Sequence, residues 1–175
     1  MGRYFNGTQI SLANSAFHHA ERLISDYFRV SAEKIRNHRY DVKTLAFLDK
    51  HEVKEGAFAH LCKYHYGKDE EPGAGGFHFY RICLQDDRIL DAVERAHSFI
   101  KLSPLLLYIA AHELVHVVRF DNGEIDFEMS AAEQREEEEK VHGITRDVLQ
   151  PSLKPELSLV LDCFSSRYQL GDIYA

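Results

Sequence analysis

The first half of the chain changes from a helical to an extended pattern of apolar residues. Between Ser11 and Val30 apolar side chains recur every three or four positions, which predicts an amphipathic helix packed on the core. Two weaker helical patterns follow within residues 31–55. Residues 57–66 and 77–84 are instead rich in aromatic and β-branched side chains, and a polar loop rich in glycine separates them. These two segments predict a pair of antiparallel strands.

The second half returns to a helical pattern whose ends are marked by capping residues. A short extended segment near residues 87–90 and a helix over residues 92–100 are expected first. Ser103 and Pro104 then predict the start of a helix, because serine caps helix N-termini and proline suits the first turn. That helix should continue to about Phe120, where the Asn-Gly pair that follows Asp121 ends it.

Two further helices complete the pattern. Ser130 lies three residues before Glu133, the spacing of a capping box, so a helix should begin there. It should end by Gln150, because a proline follows. A last short helix is expected over residues 155–161. The whole pattern predicts an α+β fold with N-terminal helices, a small antiparallel sheet and two long C-terminal helices, in a single domain over residues 1–175.

Composition excludes several classes of function. The net charge of -7 argues against a protein that binds nucleic acid through phosphate contacts, and no cluster of lysine or arginine marks a membrane-surface module. The longest apolar stretch, Leu105 to Ala111, is much shorter than the roughly 20 residues that span a bilayer. The three cysteines show no paired spacing, which favours free thiols and a cytoplasmic location. We therefore expect neither a nucleic-acid nor a membrane partner.

The strongest chemical signal is the segment His-Glu-Leu-Val-His at residues 112–116. Residues four apart on a helix differ in direction by only about 40°, so His112 and His116 can reach one zinc ion. Glu113 lies about 100° round the helix from His112, too far to bind the same ion but placed to act as a general base on water that the metal activates. The chain has 11 histidines, so an ordinary core helix is the alternative. The apolar, capped helix around the motif favours a metal site.

A zinc hydrolase needs a third protein ligand, and the acidic segment over residues 130–149 offers candidates. Val141 lies on the buried stripe of this predicted helix. At about 100° per residue, Glu137 lies near −40° and Glu138 near +60° from it, and His142 lies near +100°. Glu138 is the preferred ligand, with His142 and Glu137 as alternatives. If Glu138 binds the metal, His142 is available to orient a ligand.

The segment 112–116 and the later helix that offers Glu138 resemble the zincin metallopeptidase superfamily, and within it the gluzincins. The resemblance implies that His112 and His116 bind zinc and that Glu113 is the general base. It also implies a peptide or protein substrate that lies extended along a strand upstream of the motif, for which residues 77–84 are the natural candidate.

The sequence departs from the gluzincin pattern at one informative position. Gluzincins commonly carry an aspartate four residues after the ligand glutamate, and here that position is His142. The extended motif of the metzincins is absent, because Arg119 and Asn122 occupy the positions of its glycine and of its third ligand.

Two other functions compete with a zinc peptidase. A zincin-like fold without turnover would serve as a metal-stabilised binding or regulatory module. A di-iron carboxylate protein would use two Glu-x-x-His pairs, Glu113 with His116 and Glu139 with His142. That class needs further inward glutamates on other helices, and the β-rich middle of the chain fits a four-helix bundle poorly.

One further group of potential metal ligands lies in the first predicted strand. His60, Cys62 and His65 are close in sequence, but alternate residues of a strand point to opposite faces. His60 and Cys62 should therefore share one face while His65 occupies the other, and the three should not converge.

Overall fold

This computed structural model describes residues 3–36, 40–66 and 77–164. Within them the chain has an α+β architecture that combines helices with a small sheet. The helices are α1 (Gly7–Phe28), α2 (Ala32–Arg36), α3 (Asp86–Arg95), α4 (Leu102–Asp121), α5 (Ala131–Leu149) and α6 (Pro155–Phe164), and the strands are β1 (Tyr40–Lys43), β2 (Ala59–Tyr66) and β3 (Phe77–Leu84). Short 3-10 turns cover Leu45–Phe47, Lys50–Glu52 and Gln150–Ser152.

The centre of the fold is α4, which carries the histidine motif. It packs against α1, α3, α5, α6 and β2. Every residue from Leu105 to Val118 is buried. By length and composition alone this helix is apolar enough to cross a membrane, but 72% of its apolar window is buried inside the protein. Here α4 is the core helix around which the other elements are arranged.

The sheet presents one face to this core. Tyr80, Ile82 and Leu84 alternate along β3 and are almost fully buried. On the opposite face Arg81 donates hydrogen bonds to Asp41 on β1 and to Glu52 in a 3-10 turn. The polar pairs of this second face therefore tie the turn and β1 to the central strand.

The order of the strands corrects part of the sequence prediction. Within the described residues the sheet has the order β1-β3-β2, with β3 in the middle. The predicted antiparallel pairing of β2 with β3 is confirmed. However, β1 pairs with β3 in parallel, so the prediction of a purely antiparallel sheet is wrong.

Several element boundaries also differ from the prediction. The residues around Val42 were expected to be helical, but they form β1, because hydrogen bonds to the distant β3 outweigh a weak local pattern. Residues 87–90 were expected to be extended and belong instead to α3, which begins at Asp86. The carboxylate of Asp86 is buried and accepts hydrogen bonds from the backbone amides of Phe5 and Leu45. These long-range bonds link the start of α3 to two segments far away in sequence.

Candidate metal centre

One face of α4 carries four aromatic rings at intervals of four residues. Tyr108, His112, His116 and Phe120 follow one another along it, with ring centroids 5.7, 4.8 and 5.9 Å apart in that order. This spacing keeps successive side chains on nearly the same side of a helix. The two histidines are therefore held between two larger rings, and 0% and 6% of their surfaces are exposed.

The acidic helix α5 places Glu138 opposite this face. Ser130 caps α5 as predicted, since its side chain accepts a hydrogen bond from the amide of Glu133. Val141, Val148 and Leu149 anchor the helix in the core. Glu138 lies one turn before Val141, on the flank of this apolar stripe that faces α4.

The three side chains bring three potential ligand atoms together. The Nε2 atoms of His112 and His116 are 3.1 Å apart. One carboxylate oxygen of Glu138, Oε2, lies 3.3 Å from Nε2 of His112, and the other, Oε1, lies 3.0 Å from Nε2 of His116. Ligand atoms of a tetrahedral zinc ion, bound at about 2.0–2.1 Å, are separated by roughly 3.3 Å. The spacing and the donor types thus fit three corners of such a site, and within the described residues His112, His116 and Glu138 form a group able to hold a metal ion.

Electrostatic interactions within this group couple the Glu138 carboxylate to the two imidazoles. Burial alone would raise the pKa of Glu138, but the charges and hydrogen bonds of His116 and His112 hold it well below its usual range. Burial alone would lower the pKa of His116, but Glu138 raises it. Positive charge beside the partly buried carboxylate therefore stabilises its ionised form, and a divalent cation bound there would supply such a charge.

Glu113 lies beside this group and is itself buried, with 4% of its surface exposed. Burial raises its pKa, while His116 and His112 oppose the shift. A carboxyl group whose pKa is raised is a stronger base once ionised, and so is better suited to take a proton from water and return it to a leaving group. The arrangement can therefore support general acid–base chemistry next to a metal ion.

The two alternative third ligands occupy other roles in the structure. Glu137 is buried against Arg119 of α4, whose Nε and Nη2 donate hydrogen bonds of 2.7 and 2.9 Å to its carboxylate. The ring of His142 packs against that of His112, with the two ring centroids 4.8 Å apart. Neither belongs to the group of three ligand atoms, so the geometry favours Glu138 over both alternatives.

Tyr108 contacts His142 through a hydrogen bond. The sequence analysis did not predict a role for this tyrosine. Its hydroxyl lies 3.1 Å from Nδ1 of His142 and 3.2 Å from the carbonyl oxygen of Phe164. Because a carbonyl can only accept, the hydroxyl donates to Phe164, and Nδ1 of His142 carries the proton that it donates to Tyr108. Burial and the neighbouring His112 lower the pKa of His142 to about 3, in keeping with this neutral form. The four-residue spacing from Tyr108 to His112 was the sequence signal that could have placed Tyr108 on the same face of the helix as the histidines.

Two other predictions about side-chain clusters can be compared with the structure. Glu139 is exposed, which disfavours a di-iron site built from Glu139 and His142. The prediction for the strand cluster is confirmed, because Nδ1 of His60 lies 3.8 Å from Sγ of Cys62 whereas His65 contacts His78.

Similarity to known proteins adds nothing to this geometry. No family model, curated protein or solved structure matches the chain. The function must therefore be inferred from the arrangement of its own residues.

Proposed function

We propose that this protein is a zinc-dependent hydrolase, and specifically a metallopeptidase with a zincin-like site. The observation that carries the proposal is the convergence of His112, His116 and Glu138 to within 3.0–3.3 Å of one another. Two imidazoles and one carboxylate are a ligand set typical of catalytic zinc, which keeps one coordination position open. A buried Glu113 beside them supplies the base that hydrolysis requires.

Each residue has a distinct part in the proposed reaction. His112, His116 and Glu138 would hold the ion, and when bound, zinc acidifies water and polarises a carbonyl group. Glu113 would take a proton from the attacking water and deliver it to the departing amine. His142, hydrogen-bonded to Tyr108, would help to position the ring of His112 that it packs against.

The substrate would lie along β2 and not, as the sequence suggested, along β3. β3 pairs with β2 over its whole length and with β1 over residues 80–83, so one of its edges is fully occupied and the other is occupied over half of the strand. The strand β2 is an edge strand of the sheet and packs against α4. His60 on β2 is also close enough to Glu113 to lower its pKa. An extended peptide that adds to the outer edge of β2 would therefore lie near the base.

Metal content is the first test of this proposal. Protein purified without added metal should contain one tightly bound zinc ion per chain, measured by inductively coupled plasma mass spectrometry. Glu138→Gln should lower zinc affinity by more than the roughly 10- to 100-fold expected for a residue that only supports a ligand. Glu139→Gln, which neutralises an exposed neighbour, is the matched control and should keep full zinc occupancy. Equal zinc binding by both variants contradicts the proposed site, and two bound irons favour the di-iron alternative.

Hydrolysis is tested separately on zinc-loaded protein. Incubation with a peptide library and mass spectrometry of the products should show cleavage that Glu113→Gln abolishes while zinc stays bound. Peptides methylated on backbone nitrogens near the cleaved bond should be cut more slowly, because they cannot pair fully with β2. Full zinc occupancy with no cleavage of any peptide rejects the peptidase and favours a metal-stabilised binding module.

A further inference from the structure

A second pair of histidines faces each other on the sheet, apart from the helical site. His65 on β2 and His78 on β3 are directly opposite in the strand register. Their Nδ1 atoms are 3.2 Å apart and their ring centroids 4.6 Å apart. Both residues are exposed, so the pair is accessible from solvent.

The position of this pair follows from the sheet register. Directly opposite residues of an antiparallel pair have their Cβ atoms about 5 Å apart and point to the same face. His78 therefore lies on the same face as Tyr80, two residues along β3, while Lys63 lies opposite Tyr80 on β2. The rings converge because the backbone places them side by side.

The separation of the two Nδ1 atoms matches the spacing of two ligands on one metal ion. Imidazole nitrogens on a tetrahedral ion lie roughly 3.3 Å apart. At 3.2 Å the two Nδ1 atoms cannot both carry a proton, so the contact needs a single shared proton or a cation in its place. Imidazole binds a metal in its neutral form, through the ring nitrogen that carries no proton.

We propose that His65 and His78 form a second metal site on the sheet, for a divalent cation that prefers imidazole, namely Zn²⁺, Ni²⁺ or Cu²⁺. Water or groups of an incoming molecule fill its remaining coordination positions. The site should be weaker than the helical one, since within the described residues it offers two imidazoles, whereas the helical group adds a carboxylate to two imidazoles. It shares no residue with the helical site, so it does not depend on the proposed hydrolase.

Two charged side chains near the pair act on a bound cation in opposite directions. Lys63 lies close enough to His78 to disfavour an added cation, whereas Asp121 at the end of α4 favours one. These opposite effects partly cancel. The affinity of the site is therefore decided mainly by the two imidazoles, and hard cations such as Mg²⁺ should not bind there.

Titration of chelator-treated protein with Zn²⁺ and with Ni²⁺, followed by isothermal calorimetry, tests the second site. The wild-type protein should bind one tight and one weaker equivalent of Zn²⁺. His65→Ala and His78→Ala should each remove the weaker equivalent and keep the tight one, which also shows that the variant is folded. Glu138→Gln should do the reverse.

The matched control is His18→Ala, which removes an exposed histidine of α1 whose side chain is 78% exposed. This variant should keep both equivalents. The proposal is overturned if Glu138→Gln abolishes all zinc binding of the wild-type protein, or if the weaker equivalent persists in His65→Ala and His78→Ala. Loss of the weaker equivalent in His18→Ala would also overturn it. With substoichiometric Ni²⁺, ring signals of His65 and His78 should broaden in NMR spectra before those of His18.

Discussion

The guanidinium group of Arg119 donates two hydrogen bonds to the carboxylate of Glu137, one of 2.7 Å from Nε and one of 2.9 Å from Nη2. Arg119 follows His116 by three residues on α4, and Glu137 immediately precedes Glu138 on α5. The pair therefore aligns the two helices at the point where each contributes a candidate ligand. With Glu137 only 2% exposed, this ion pair is largely removed from solvent.

Substitution of Arg119 tests whether this alignment matters for metal binding. Arg119→Lys keeps the positive charge but loses the planar pair of donors. We expect zinc affinity to fall by about 10- to 100-fold, as for other residues that position ligands. Competition with a chromophoric chelator measures the change.

The control for this experiment removes the other partner of Arg119. Glu124 accepts a hydrogen bond from Nη1 at 2.7 Å and is 52% exposed. Glu124→Gln should change zinc affinity little, because exposed ion pairs contribute little. If Arg119→Lys binds zinc as tightly as Glu124→Gln does, the contact with Glu137 has no part in placing Glu138.

Removal of the Tyr108 hydroxyl should destabilise the fold. In Tyr108→Phe the buried Nδ1 of His142 and the partly buried carbonyl of Phe164 each lose a hydrogen-bond partner. The free energy of unfolding should fall by about 1–3 kcal/mol, measured by urea denaturation of metal-free protein. Tyr4→Phe removes a hydroxyl from a residue that is 59% exposed and should change stability by less than about 0.5 kcal/mol. Equal effects of the two substitutions contradict the hydrogen-bonding role of Tyr108.

Acid should weaken the polar network on the outer face of the sheet. Burial alone would raise the pKa of Glu52, but hydrogen bonds from Tyr64, from the amide of Asp49 and from Arg81 lower it from 4.5 to about 2. Because the folded-state pKa is depressed, the stabilisation is fully present above pH 4.5 and is lost as the pH falls towards 2.

Urea denaturation at several pH values checks this prediction. Glu52→Gln should lower the free energy of unfolding by on the order of 3 kcal/mol at pH 6, and the difference from wild type should shrink at pH 3. The exposed Glu55→Gln should differ from wild type by less than about 0.5 kcal/mol at either pH. A difference for Glu52→Gln that stays constant from pH 6 to pH 3 excludes the depressed pKa.

Removal of zinc should lower thermal stability. A ligand that binds only the folded state at 100 times its Kd stabilises it by about 2.7 kcal/mol. For a protein of this size that corresponds to a fall in Tm of roughly 5–10 °C when a chelator is added. Differential scanning fluorimetry measures this shift, and Glu138→Gln should lose most of it. A Tm that is the same with and without chelator speaks against a bound zinc ion.

Much of the fold was determined by short stretches of sequence. The bounds of α4 and α5 were predicted close to those observed. Their signals are local in sequence: Ser130 marks the start of α5, Asn122 marks the end of α4, and the apolar run before His112 marks the interior of α4. The shared direction of His112 and His116 is likewise a property of one helix. Local periodicity also predicted that Glu138 lies beside the buried stripe of α5.

Only the tertiary structure decided between residues that local periodicity leaves equivalent. Glu137 and Glu138 both flank the stripe of α5, and the distant Arg119 binds the first and leaves the second beside the histidines. Likewise, pairing with β1 places β3 in the centre of the sheet, which no pattern within residues 77–84 could reveal. Helix periodicity and capping depend on neighbours in sequence, whereas ion pairs and strand order depend on contacts between segments far apart in the chain.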